Sequence, residues 1–295
     1  MTRARTVVKR TGKSFYDDQM THHAAALTYY GLMSLFPAVL LALSLLGLIG
    51  EYPRTYDAIL NYLRDVVPAS TLGAIDTSLR GALEHKGTAA GALAISVVTA
   101  LYGTTGYLEA VRRALNVVFE SDGGRSFLTR KAIDVASTFV LMGLVLATLT
   151  LMFVGGGFAR DLFGFAGLGA SAADAWAVLR WPGALLCAML VFGLLYYVTP
   201  DVRQRGFRWV TPGAVVGVLL WIAASAAFSL YISNFGHVSA VYGAFAGAIL
   251  LVTWLWLTNV ALLLGAELDA EVEREKEMDE GVPAQETLAM PVKRG

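Results

Sequence analysis

This chain has almost no cysteine and little charge. Cys187 stands alone, so an intrachain disulfide and a cysteine-ligated metal cluster are both excluded. Charged residues are 16% of the 295 and cancel, 23 basic against 23 acidic, which leaves no net field to gather nucleic acid. Hydrophobic residues fill the space instead, at 56% with a mean hydropathy of +0.58, far from the balance of a soluble domain. The class is all-α: a polytopic membrane helix bundle.

Ala24 to Gly50 runs for 27 residues without a charged side chain, longer than the ~20 needed to cross a hydrocarbon core. From Leu27 onward 12 of its residues are Leu, Ile, Val or Phe. Those residues favour insertion by roughly 4 to 7 kcal/mol. The run is too long for a cleaved secretory signal, whose apolar region covers about 7 to 15 residues, so it is expected to stay as the first span.

Six spans are predicted, at about 24–50, 88–108, 133–157, 181–199, 209–233 and 240–266. Residues 1–23 form a basic cytoplasmic segment with an interfacial helix, and residues 267–295 an acidic tail, helical at first and then partly disordered after Gly281 and Pro283. Between the first two spans, Ile59, Leu60, Leu63 and Val67, then Leu72, Ile75, Leu79 and Leu83, repeat at helical spacing, predicting two amphipathic helices within 51–87. The last turn between spans is expected at SNFGHVS, around Gly236 and His237. Gly87 with Gly91, Gly213 with Gly217 and Gly243 with Gly247 have the small-xxx-small spacing that lets helices approach closely.

Orientation follows from the basic residues. With the N-terminus inside, 17 lie on the cytoplasmic side and 6 outside, so both termini are expected in the cytoplasm. The spans are read as free of Asp, Glu, Lys and Arg, which argues against a carboxylate proton relay or a charged ion pathway. RTGKS at 10–14 imitates the end of a phosphate-binding loop but has Val7 where that loop needs glycine. Asp18 and His22 have a metal-ligand spacing, for which a solvated helix face is the simpler account. No catalytic residue, metal or cofactor is assigned.

The remaining polar content is hydroxylic and aromatic. Tyr29, Tyr30 and Ser34 lie in the first half of span one, followed by Pro37, and Gly103, Thr104, Thr105 and Gly106 close span two. Pro37 and the Gly-Thr-Thr-Gly cluster predict two interrupted helices, a feature of transporter sites. If a pathway exists, its inner mouth is expected where these stretches meet. After span two, Arg112, Arg113, Arg130 and Lys131 serve orientation or bind anionic headgroups.

Four stretches taken together, AAALTYYGLMSLFP at 24–37, LYGTTGYLEAVRRALNVVF at 101–119, YYVTPDVRQRGFRWVTPGAVV at 196–216 and the run from Tyr231 to Glu271, resemble the YihY/BrkB family of bacterial inner-membrane proteins. The resemblance implies six spans and no settled activity. Some members carry a label as a tRNA-processing ribonuclease, others are named for virulence, and lipid translocation is an analogy drawn for relatives. It points to Tyr30, Ser34, Pro37, Asn116, Pro200, Tyr242, Gly243 and Glu267 as family-pattern positions. The expected function is a carrier or translocase of a lipid or other amphipathic molecule, with a non-catalytic envelope scaffold as the alternative and a ribonuclease behind both. Membrane lipids are the expected partners, with a second copy of the chain or an envelope protein beside them; nucleic acid is not expected.

Overall fold

The computed structural model describes residues 2–49, 76, 86–121, 123–153, 169–202, 210–235, 239–282, 284, 288, 290–291 and 293. Seven helices carry these residues: α1 Thr2–Asp17, α2 Met20–Ile49, α3 Lys86–Val118, α4 Phe127–Phe153, α5 Gly169–Val198, α6 Pro212–Phe235 and α7 Ser239–Asp279. The amphipathic pair predicted within 51–87 and the turn at Gly236 and His237 lie outside the described residues, although α6 and α7 end and begin on either side of that turn.

Four helical segments are long and apolar enough to cross a membrane: Phe127–Thr148, Ser171–Val198, Pro212–Asn234 and Gly247–Asp279. Few of their side chains are buried within the protein. Phe139, Leu146, Leu179, Leu219 and Leu230, for example, are all exposed. Side chains of this kind facing outward along four helices make a surface suited to hydrocarbon rather than water.

The chain divides into two compact units, residues 1–28 with 108–295 and residues 29–107. In the larger unit α6 packs on α7, α4 on α5, α5 on α6 and α1 on α7. Thr211 caps α6 by accepting from the Ala214 backbone N–H at 3.0 Å, with Pro212 at the first helical position. Asp269 of α7 supplies a second cap, accepting from Gly213 N–H at 2.7 Å.

The spacing at Gly213 and Gly217 does what its pattern predicts. A Cβ at Gly213 would overlap the Gly265 carbonyl and stand 2.6 Å from Asp269 Cγ, and one at Gly217 would stand 3.0 Å from the Phe192 ring. Backbones touch here because no side chain intervenes. Among the described residues nothing stands within 4 Å of a Cβ added at Gly91 or Gly247; glycine spacing shows where helices can approach, and only the partner decides whether they do. Between α6 and α7, Trp221 Nε1 donates to Thr258 Oγ1 at 3.2 Å and Trp254 Nε1 to Ser225 Oγ at 3.2 Å, satisfying indole donors that lipid cannot.

In the smaller unit, α2 and α3 meet along a closed seam. A Cβ at Gly103 would lie 2.9 Å from Ser34 Cα, one at Gly106 3.6 Å from the Tyr30 ring and one at Gly31 3.6 Å from the Tyr107 ring. Both helices run without interruption through Pro37 and through Gly103 to Gly106, so the predicted helix breaks do not occur. The hydroxyls there turn back onto their own helices: Thr104 Oγ1 to Ala100 O at 2.7 Å, Thr105 Oγ1 to Tyr102 O at 3.0 Å and Ser34 Oγ to Gly31 O at 2.8 Å. Small residues thus serve close packing. Gly103→Val is expected to destabilise the protein by about 1 to 3 kcal/mol, because backbone stands where the side chain would go. Ser34→Ala, which removes a bond within one helix, is expected to change stability by less than about 0.5 kcal/mol. Thermal melts in detergent separate the two, and equal melts would refute the seam.

Candidate functional site

Charged side chains in the larger unit gather into two networks, the first buried and the second running from the surface inward. The first centres on Arg112 of α3, whose side chain is 1% exposed. Its guanidinium donates to Glu109 Oε2 at 2.6 Å and to the Thr199 carbonyl at 3.2 Å, and pairs with Asp134 of α4. Thr199 follows α5, so one planar fork ties together the ends of three helices and meets a carbonyl at the negative pole of α5. Asp134 is the second residue of span three as bounded from sequence. The expectation that the spans carry no ionisable side chain is therefore wrong at this position, and the burial of Asp134 is possible because Arg112 neutralises it.

Beside this lies Asp201. Its backbone N–H donates to Asn116 Oδ1 at 2.9 Å and its Oδ2 accepts from Asn116 Nδ2 at 3.3 Å. Arg125 Nε stands 3.5 Å from Asp201 Oδ1 while Arg125 Nη1 donates to Val198 O at 2.9 Å. Lys293, from the acidic tail, donates its backbone N–H to Asp201 O at 2.7 Å and its Nζ to Tyr197 O at 2.9 Å and Pro200 O at 3.3 Å. Burial, then the neighbouring Arg125 charge, lower the Lys293 ammonium to about 8. The Thr199-Pro200-Asp201 turn is thus held from α3, from the segment after α3 and from the tail.

The second network runs along α1 and α7, which lie antiparallel. Arg3 pairs with Asp279 at 2.9 Å, Arg10 with Glu275 at 3.2 Å, and Ser14 Oγ donates to Glu271 Oε1 at 3.2 Å. The next rung brings the Asp18 carboxyl beside that of Glu267. Arg274 binds Glu120 at 2.5 Å, Glu271 at 3.2 Å and the Ala284 carbonyl at 2.9 Å. Leu288 N–H donates to Glu120 Oε2 at 2.7 Å. Where the sequence predicts partial disorder, Ala284 and Leu288 are buried.

The sequence-predicted residues divide among these places. Asn116, Pro200, Arg112 and Glu267 enter the networks; Arg112 is enclosed by protein, while Arg113 is exposed and stands 3.7 Å from Glu109. Arg130 lies 3.6 Å from Glu109 and Lys131 is half-buried. Tyr29 and Tyr30 are exposed and pack edge to face at 5.4 Å, whereas Thr104 and Thr105 belong to the seam with Ser34. Tyr242 and Gly243 lie on α7. Asp18 and His22 do not share a helix face, because Gln19, with φ 53°, separates α1 from α2. Among the described residues no three His, Cys, Asp or Glu are arranged to hold a metal ion. Sequence reading passed over Asp134, Asp201, Glu120 and Arg274; the only signal for the first is its place inside an apolar run.

A groove of 240 Å³, open at the surface, is lined by Ala25, Thr28, Val252, Thr253 and Trp256. Of the lining residues, Thr28 Oγ1 accepts from Asn259 Nδ2 at 3.2 Å and Trp256 Nε1 donates to the Thr21 carbonyl at 3.4 Å. Its walls are apolar and its polar groups are already paired, which suits a hydrocarbon chain more than a charged solute.

Residues 11–289 match the family model described as virulence factor BrkB. The ribonuclease-like protein YfkH of Bacillus subtilis is 29% identical over 88% of this chain and 92% of its own length. A UPF0761 membrane protein of Pseudoalteromonas translucida is 27% identical over 92% of this chain and 90% of its own, and one of Xanthomonas axonopodis pv. citri is 26% identical over 90% of this chain and 61% of its own. No solved structure matches.

Proposed function

Because this chain belongs to the virulence factor BrkB family and is an integral membrane protein, we propose that it carries or translocates a lipid or another amphipathic molecule. The observation that supports this reading is the groove between α2 and α7, open at the surface and walled by Ala25, Val252 and Trp256. An acyl chain fits walls of this kind. On the same reading the chain has six spans, sits in the bacterial inner membrane with both termini in the cytoplasm, and uses Arg113, Arg130 and Lys131 at the headgroup level.

Liposomes holding purified protein and a labelled lipid test it. Wild-type protein is expected to speed exchange between leaflets, and Ala25→Phe, which fills the groove with a ring, is expected to slow it several-fold while leaving the melting temperature unchanged. No movement across a panel of zwitterionic and anionic headgroups would remove the proposal. We also propose that the protein is not a nuclease, so purified protein is expected to leave precursor tRNA uncut; cleavage lost on mutating His22, His23, Asp17 and Asp18 would overturn this.

A further inference from the structure

The ladder between α1 and α7 changes character at its last rung. Along α1 and the turn that follows it the partners fall at Arg10, Ser14 and Asp18, and along α7 at Glu275, Glu271 and Glu267. Each step of one helical turn on α1 is met by one turn back on α7, as antiparallel helices require. The rungs at Arg10 and Ser14 set a donor against a carboxylate. The one at Asp18 sets a carboxyl against a carboxyl, where the apolar run of α7 ends.

Two carboxylates cannot hydrogen-bond each other unless one carries a proton, since both are acceptors when ionised. Glu267 is 1% exposed and its Oε1 is buried without a hydrogen-bond partner. Glu271, one turn on, has its Oε2 buried and unpartnered as well. Arg274, whose charge acts on Glu267, is itself engaged by Glu120, Glu271 and the Ala284 carbonyl.

We propose that Asp18 and Glu267 form a proton-binding site, in which one shared proton fastens α1 onto α7 and its loss sets the two carboxylates against each other. The other charged groups around the pair are Asp17, His22 and His23 on its own side, Glu120 after α3, and Glu271 and Arg274 on α7. Counted with the pair itself, five acidic groups face three basic ones there. Burial and then Glu120 raise the Asp18 carboxyl above its ordinary range. A carboxyl raised in the docked state binds its proton more tightly there than when α1 is free. Docking is therefore strongest at low pH and weakens as pH rises through the raised value.

Hydrogen exchange on the full-length protein in lipid nanodiscs reads this directly. Amide protection of α1, corrected for intrinsic exchange, is expected to fall between about pH 5 and about pH 9, by about ten-fold for each unit by which docking raises the pair's affinity for its proton. Glu267→Gln keeps the hydrogen bond without the titration, so its protection is expected to stay constant across the same range. Asp18→Asn should behave alike and serves if the first variant fails to fold. Arg10→Ala removes a different rung and is expected to lower protection while preserving the pH dependence. Protection of wild-type α1 that does not change with pH overturns the site. So does a pH dependence that survives in both Glu267→Gln and Asp18→Asn. Neither result depends on whether labelled lipid moves in liposomes.

Discussion

Arg112→Ala is expected to lower stability by about 3 to 5 kcal/mol, the cost of removing one partner from a buried ion pair. The cost falls on what is left behind. Asp134, with a side chain 2% exposed, loses its counter-charge, and the Thr199 carbonyl and Glu109 lose a donor. Because Arg112 binds α4 and the end of α5 from α3, three helix ends loosen together. Arg112→Lys should recover only part of the loss, since one ammonium cannot reach the acceptors that the planar guanidinium spans. Asp134→Asn in the Arg112→Ala background is expected to recover more, because it removes the orphaned charge. Tryptophan-monitored melting in detergent checks the series. A melt of Arg112→Ala at the wild-type temperature would show that the network contributes nothing to stability.

Gly213→Val is expected to be at least as damaging, costing about 3 kcal/mol or more through overpacking and an uncapped carboxylate. Its Cβ has no free space, with the Gly265 carbonyl and Asp269 Cγ already there, and a Cβ at Gly265 would meet Tyr196 Oη at 2.5 Å. Relief requires α6 to move from α7, which breaks the bond from Gly213 N–H to Asp269. Gly247→Ala is the control: nothing stands within 4 Å of its Cβ, and alanine is favoured over glycine in a helix by up to about 1 kcal/mol. The fraction of monodisperse protein after extraction is expected to fall for Gly213→Val and hold for Gly247→Ala. Equal recovery would show that the close approach of α6 and α7 is not needed.

Cys187, the cancelled charges and the long uncharged runs settled the class, because insertion into hydrocarbon depends on composition along a segment, which a sequence displays directly. The four segments among the described residues that are long and apolar enough to cross a membrane overlap runs that hydropathy had marked. Membership of the BrkB family was likewise legible, since it rests on the order of residues. The polar chemistry was less so. Thr104 and Thr105 read as signs of a broken helix, yet a hydroxyl can satisfy itself on its own helix while the glycines beside it admit a neighbour.

Partners far apart in the chain account for the rest. Arg112 with Asp134, Asn116 with Asp201, and Asp18 with Glu267 are joined only after the helices pack. Local spacing cannot report such pairs, because a charge inside an apolar run looks unaffordable until its counter-charge is in view. Sequence alone determined that this protein lives in a membrane as helices. The tertiary structure decided where its charges could be buried and which carboxyl would meet another carboxyl, since both depend on distances that only folding sets.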